Sequence, residues 1–585
     1  MVVGIALSFL GCGKKGEVGD KSSRPSAPAS EAIPAAEYTP KVGTYGGQLI
    51  LTNIANPKSF NPIIAQETST TSITQYIFDG LTRVSGITNE PEPALAERWE
   101  VGPDGLTWTI HLRKDVKWND GVPFTADDVV FTYRRLVYNK DIPTSSRDIF
   151  TIEGKEFEVT KLDAHTVAFK TPMKFAPFLR GLNQEILPKH RLEESVDKGT
   201  FNSTWGVDSK LEDIVGTGPF MLERYEASQR VILKRNPHYW RTDKEGNRLP
   251  YLDGITILIV PDINVSLLKF QEGESDFYGL RGEDYPTLKP LEREKNFRIF
   301  RVGPAFGTNF LVFNQNPGKN SETRKLYIDP KKLKWFTDAR FRQAVAYALD
   351  RQSMINVVLN GLGYLQHASM SPSAGFFYNP NVVKYDYDPE KARRILTEAG
   401  FRDRNGDGYV EDSEGNKVEF NLFTNAENNV RVMIGDIIRK DLEEIGMQVH
   451  FTPLEFNNLV DKLMATFDWD CILLGLTGGV EPHFGKNVWH SSGQLHEWYP
   501  RQKKPATEWE ARIDKIFDLA VQELDPDKRK ELYDEWQLIV SEQVPLIYTV
   551  LPETIFAVRN KFGNLYPTAF GGAFHNIEEI YVSGK

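Results

Sequence analysis

The 585 residues contain only two cysteines, Cys12 and Cys471, so a disulfide framework is excluded by count. Cys471 lies in the apolar run WDCILLG and reads as a small buried hydrophobe, not a reactive thiol. No internal apolar run is long enough to span a bilayer. Dense basic clusters are also missing. The formal net charge is −10, from 70 Lys and Arg against 80 Asp and Glu, which argues against nucleic acid as a partner. Signatures of catalysis are absent too. There is no H-E-x-x-H pair and no G-x-S-x-G elbow, and the ten histidines form no motif. Asp468 and Asp470 fall on one face of an apolar strand, a spacing open to acid/base work; pairing at a strand end is the simpler reading.

What is present is the composition of a soluble globular protein, 40% hydrophobic and 26% charged, long enough for two or three cores. Residues 1–11 are apolar and uncharged and end at Cys12. They read as the end of a secretory signal peptide, and the run SFLGC resembles a bacterial lipobox, although a basic n-region is missing. That resemblance implies acylation of Cys12. The stretch after it, residues 13–44, is mostly Lys, Ser, Pro, Ala and Glu without periodicity, and reads as a flexible tether.

The most informative stretch is residues 94–136. The triplet at 99–101 is a short strand, Pro103-Asp104-Gly105 a turn, and LTWTIHL at 106–112 alternates as a half-buried antiparallel strand. After a second turn at Asn119-Asp120-Gly121, Thr125 can cap a helix whose first turn holds Asp127 and Asp128. The runs ALAERWE, DGLTWTIHLRKDVKWNDG and PFTADDVVFTYRRL, in this order, resemble the signature of the family 5 extracellular solute-binding proteins. These are the oligopeptide- and dipeptide-binding receptors of bacterial ABC importers.

Other parts agree with that resemblance. A helix is expected over residues 69–81 and a sharp backbone change at the V-G-T-G-P-F run, 215–220. Strands are expected at 231–237 and, fully buried, at 254–260. His238, in the run NPHYW, reads as a packed interface residue. Residues 338–358 read as one helix with Ala344, Ala348, Leu349 and Met354 near one face. The resemblance implies an α/β, two-lobed, periplasmic-binding-protein-like fold (type II, the large cluster with an extra subdomain), with mixed sheets and a ligand cleft between lobes. Lobe I would comprise 45–84, 213–308 and 554–585, with a subdomain inserted at 85–212, and lobe II would be 309–553.

Residues 403–414 fit the calcium-loop pattern D-x-[DN]-x-[DN]-G-x5-E. Asp403, Asn405 and Asp407 offer oxygens at alternate positions, Tyr409 its carbonyl and Glu414 a bidentate carboxylate. A strand is expected downstream, so a structural Ca2+ and a turn satisfied by its own backbone both stay open. No other cofactor is implied.

The ligand cleft should lie at the loop following the strand 467–476. In peptide-binding relatives the resemblance implies an aspartate there that holds the peptide's α-ammonium. Gly479 stands near that position, with Glu481 two residues on before Pro482. Either Glu481 supplies the charge or the ligand has no ammonium to anchor. Thr477, Asn487 and Trp489 are further lining candidates, while Trp489 reads more readily as core and Glu481 also as a solvated side chain. The resulting expectation is a monomeric, lipid-anchored receptor outside the cytoplasmic membrane. It would capture peptides and deliver them to an ABC permease by lobe closure, with no bond made or broken. Two alternatives are a non-peptide solute, such as an oligosaccharide or metal chelate, and a lipid-tethered surface hydrolase.

Overall fold

The computed structural model describes residues 38–583, except 66–67, 145, 153, 321–323, 427 and 494. Cys12, the leader and most of the tether lie outside the described residues. Residues 38–44, read above as tether, are packed onto the C-terminal segment. The Tyr38 and Tyr566 rings lie 4.7 Å apart, and the Lys41 amide donates to Asn564 Oδ1 at 2.9 Å. Burial of a large ring docks this stretch, which composition alone marked as loose.

Strand β1 (Gln48–Asn53) is followed by a helix that stops at Thr74, well short of the expected residue 81. Tertiary partners take over its backbone. The carbonyls of Tyr76 and Ile77 accept from the amides of Phe220 and Gly218 at 3.0 and 2.8 Å. Gly216 and Gly218 permit this approach, because a Cβ at either would collide with backbone at residues 76–77.

The inserted subdomain holds β2 (Ala96–Val101), β3 (Thr107–Leu112), α1 (Ala126–Phe131), β4 (Glu158–Asp163) and β5 (Thr166–Lys170). Its antiparallel sheet has the order β2-β3-β5-β4. The turn before β3 is closed by Asp104, whose Oδ1 accepts from the Leu106 and Thr107 amides at 2.9 and 3.0 Å. Trp108, Ile110 and Leu112 point into the core, as the alternation requires. Thr125 and Asp128 form a reciprocal capping box at α1.

The chain then returns through β6 (Phe220–Glu226), β7 (Arg230–Arg235) and β8 (Gly254–Ile259), giving a sheet of order β1-β8-β7-β6 with β1 parallel to β8. β8 is not buried throughout: Thr256 and Leu258 are half-exposed, because only one of its faces is fully covered. Helix α2 (Ile263–Glu272) is capped by Asp262 and closed by Gly273 at φ 82°. β9 (Phe277–Gly279) and β10 (Phe297–Pro304) follow, and β10 passes within a few residues into β11 (Thr308–Phe313) of the second lobe.

That lobe continues with α3 (Ala339–Ala348), β12 (Gly363–Leu365), β13 (Glu419–Asn425), α4 (Asn429–Glu444), β14 (Gln448–Leu454), β15 (Cys471–Leu476), α5 (Glu508–Ala520), α6 (Pro526–Gln543) and β16 (Leu546–Tyr548). The sheet order is β14-β13-β15-β11-β16, with β13 parallel to both its neighbours. The single helix expected over 338–358 is broken at Leu349. Asp350 starts a new turn by accepting from the Ser353 amide, and residues 354–358 are wound more loosely, as a π-helix. The four apolar residues placed on one face are nonetheless all buried. Cys471 and Leu473 pack with Ile434 and Ile438 of α4, and Ile472 packs on the other face with Trp469, Trp498 and Trp536. Burial pushes the Cys471 thiol far up. The last long strand, β17 (Val550–Arg559), pairs with β12 at its start and with β9 and β10 beyond, so one strand joins both lobes.

Glu497 is 2% exposed in lobe II, and burial pushes its carboxyl from 4.5 up to about 8. The folded state therefore keeps a proton that the unfolded chain releases. Its stabilising contribution is full below pH 4.5 and is lost as pH rises through about 8. The melting temperature of the wild type should fall over this interval relative to Glu497→Gln. Parallel profiles for the two proteins would contradict it.

Candidate ligand site at the lobe junction

β11 and β15 run antiparallel, with Thr308 opposite Leu476 and Asn309 opposite Gly475. The loop after β15 therefore leaves the sheet where β10 hands the chain to β11, at the edge facing lobe I. Gly478 lies against the Phe306 carbonyl so closely that a Cβ would clash. The Phe306 ring in turn meets Phe570 of the C-terminal segment with centroids 5.5 Å apart. Thr477 and Gly479 are exposed beside this contact, and a Cβ at Gly479 would meet nothing within 4 Å. The structure thus brings these two candidate residues together at an open point of the lobe junction.

Glu481 is elsewhere. It is 5% exposed and doubly paired to Arg529 of α6, with Arg529 Nη1 at 2.9 Å from Oε2 and Nη2 on Oε1. Arg180 of the subdomain stands 3.9 Å from the same carboxylate and 3.3 Å from Glu90. Glu481 also caps the short turn after it, accepting from the His483 amide at 3.0 Å. A carboxylate so enclosed has no oxygen free for a ligand ammonium, so its expected role as the charged anchor is corrected. Arg529, itself 6% exposed, requires this counter-charge. Nothing in the local sequence around Glu481 announces a partner 48 residues away.

Trp489 is likewise interior, its ring 5.0 Å from Trp536 and 6.0 Å from Trp498. Asn487 is exposed and lines a groove of about 970 Å3 between the subdomain and lobe II. Ile149, Ile152, Met173 and Phe175 form its apolar wall. Opposite them, Lys486 pairs with Asp518 at 2.8 Å. Burial and nearby cations hold His483, at the groove's edge, down to about 3. Beside the groove the Ala176 amide donates to the Val521 carbonyl at 2.7 Å, a direct bond from subdomain to lobe II.

The carboxylates of Asp468 and Asp470 serve separate lysines. Asp470 pairs with Lys332 at 2.7 Å and Asp468 with Lys462 at 2.9 Å. This is the strand-end pairing anticipated above, and it holds the two acids to different partners.

The calcium-like loop is closed by its own backbone. Asp403 accepts from the Gly406 and Gly408 amides, Asn405 Oδ1 from Asp407 and Asp407 Oδ1 from Tyr409. Glu414 is turned away to Lys334 at 2.6 Å, and Lys417 pairs with Asp407 at 2.7 Å and lies over the Tyr409 ring. The carboxylates that do converge are Asp403, Asp407 and Glu411, with oxygens within 4.8 Å of one another. Glu414 is not among the carboxylates that converge, and Glu411 stands in the position expected of it.

Residues 90–494 match the family of bacterial extracellular solute-binding proteins, family 5 Middle. The chain belongs to that family. A probable ABC transporter-binding protein of Deinococcus radiodurans is 30% identical over 536 residues, 88% of each chain. The oligopeptide-binding protein AppA of Bacillus subtilis is 28% identical over 92% of this chain and 91% of its own. The solved structure of AppA with a nonapeptide superposes with a TM-score of 0.69 over 93% of this chain and 100% of that one. Heme-binding protein A of Haemophilus influenzae is 27% identical over 84% of both chains. The two-lobed fold expected from the sequence is that of these family 5 proteins, and no helix among the described residues is long and apolar enough to cross a membrane.

Replacing Arg180 by Met should loosen the bond between subdomain and lobe II without unfolding either. Hydrogen exchange at the Ala176 amide should then speed up, while exchange in the core of β15 stays slow. Unchanged exchange at Ala176 would show that Arg180 does not hold this contact. At the loop, any Ca2+-dependent rise in melting temperature should survive Glu414→Gln and vanish in Glu411→Gln; the opposite pattern would restore the ligand set read from the sequence.

Proposed function

We propose that this protein is the extracytoplasmic receptor of an ABC importer, capturing peptides between its lobes and handing them to the permease. The observation that carries the reading is the likeness, over 93% of the chain, to a protein solved with a nonapeptide. The open loop at Thr477 and Gly479 supports it, since exposed backbone at a lobe junction can bind a peptide through its main chain and leave side-chain identity free. Capture needs no bond chemistry: ligand binds the closed arrangement better and shifts the equilibrium towards it. Acylation of Cys12 would tether the monomer to a membrane, and Cys471, fully buried, does not compete for it. Ca2+, if held by the acidic loop, would be structural.

A second reading, a non-peptide solute such as an oligosaccharide or metal chelate, is favoured by one feature. Gly479 stands near the position where the resemblance implies an ammonium-binding aspartate, and the acid next along is paired with Arg529.

The test is native mass spectrometry of protein freed of the first 37 residues, unfolded, stripped of ligand and refolded. It is offered a mixed pool of short peptides and oligosaccharides. Retention of intact peptides of several sequences is the expected result. Retention of sugars alone would overturn the peptide assignment, and cleaved peptides would overturn the binding-only mechanism.

A further inference from the structure

One apolar core runs without a break from lobe I into the inserted subdomain. Leu49, Ile255 and Ile257 of lobe I belong to it together with Trp108, Ile110 and Phe175 of the subdomain, so these two parts form one body. Among the described residues, a single buried member of that core comes from lobe II. It is Val521, which follows α5 and is 4% exposed. It also lines the groove between subdomain and lobe II, so it sits at the margin of the core. Its carbonyl accepts from the Ala176 amide at 2.7 Å. Leu362 of lobe II likewise enters a core of lobe I, but beside β12 and β17, where continuous chain already joins the lobes. No chain joins the subdomain to lobe II directly. The contact at Val521 can therefore be broken and remade as the lobes open and close.

Arg180 acts at the same interface. It has two carboxylates within reach, Glu90 of its own subdomain at 3.3 Å and Glu481 of lobe II at 3.9 Å. Glu481 in turn keeps Arg529 of its own lobe. When the interface opens, Arg180 retains Glu90 and Glu481 retains Arg529, so no charge is stranded. Opening returns Val521 to water and gives up the attraction between Arg180 and Glu481. The Asn89 amide, which donates to the Ser373 carbonyl at 3.2 Å, adds a third contact between the same parts. All of these are made by protein groups, so they bias the open–closed equilibrium by the same amount whichever ligand is bound.

We infer that Val521 and Arg180 are positioning residues that set the receptor's affinity through closure, without touching ligand. This rests on the lobe closure of the proposed function and not on the ligand being a peptide. A ligand held by the closed form has an apparent dissociation constant equal to the intrinsic one divided by the closed fraction. A change in the closed fraction of ligand-free protein then appears, inverted and at equal size, in the dissociation constant of every ligand. A residue that lines the ligand changes one ligand more than another.

The experiment measures both quantities on the full chain. Small-angle X-ray scattering gives the closed fraction without ligand. A mixed pool of short peptides and oligosaccharides supplies the probes, each retained member being titrated separately. Val521→Ala removes two buried carbons and should lower the closed-to-open ratio about tenfold; Val521→Ile, which keeps them, should restore it. Arg180→Met should lower the ratio about twofold to fivefold, because Glu481 is already paired and the attraction left over is weak, and Arg180→Lys should keep part of it. Glu90→Gln should act in the opposite direction, since Arg180 then meets a carboxylate only in the closed form, and closed fraction and affinity should both rise. Loss of structure does not raise affinity, and Glu90 is exposed, so this variant decides the matter even where Val521→Ala fails to fold. Unchanged scattering in these variants while pool members bind, or affinity changes that differ among ligands, would overturn the inference and leave the receptor reading standing. If the scattering shifts as expected but no pool member binds folded protein, the receptor reading falls and the effect on affinity falls with it.

Discussion

A carboxylate removed from water must find a cation or keep its proton; Glu497 keeps its proton and Glu481 finds Arg529. The pair is nearly solvent-free on both sides. Such pairs add little net stability, but removing one partner strands the other at a cost of about 3–5 kcal/mol. The pair therefore fixes geometry. It holds the first turn after the cleft loop and keeps Thr477 and Gly479 at the lobe junction. It also places a negative charge where Arg180 of the subdomain can approach it. The same pairing encloses the first carboxylate after the loop that leaves β15.

The lobes are joined by two kinds of connection. β17 is continuous through both, paired with β12 on one side of Pro552 and with β9 and β10 on the other. The β10 to β11 crossing runs beside β17, with a register shift in the β10–β17 ladder between Arg301 and Pro304, the Arg301–Glu553 pair at 2.6 Å and the Ala305 amide donating to the Pro552 carbonyl at 3.0 Å. Contacts between the subdomain and lobe II include the Ala176–Val521 bond, the Asn89–Ser373 bond, the Phe175–His483 edge contact and Arg180. A few such contacts can be broken and remade without disturbing either core, which a receptor that opens and closes requires.

Much of the fold was legible where physics acts over a few residues. The Thr125–Asp128 capping box, the Asp104 turn and the inward set Trp108, Ile110 and Leu112 are local, and each formed as read. The glycines at 216 and 218 announced a backbone event, while the partner, the carbonyls of Tyr76 and Ile77, lies about 140 residues earlier in the chain and could not be seen. The same carbonyls cut short the helix expected over 69–81. The acidic loop was legible as a loop, but not which of its carboxylates converge. Periodicity places Glu414 correctly in sequence, but only the packing of the loop turns Glu411 inward and Glu414 out to Lys334.

The candidate site divides along the same line. Sequence by itself determined the family, the two-lobed architecture, the loop after β15 and the absence of an acid at position 479, because all of these are written in contiguous runs. Only the tertiary structure decided that Glu481 is neutralised by Arg529 and that Trp489 is core. Charge pairing and burial depend on which distant residue arrives within a few ångströms. Arg529 comes from a helix of lobe II and Arg180 from the inserted subdomain, and no local pattern records where they meet.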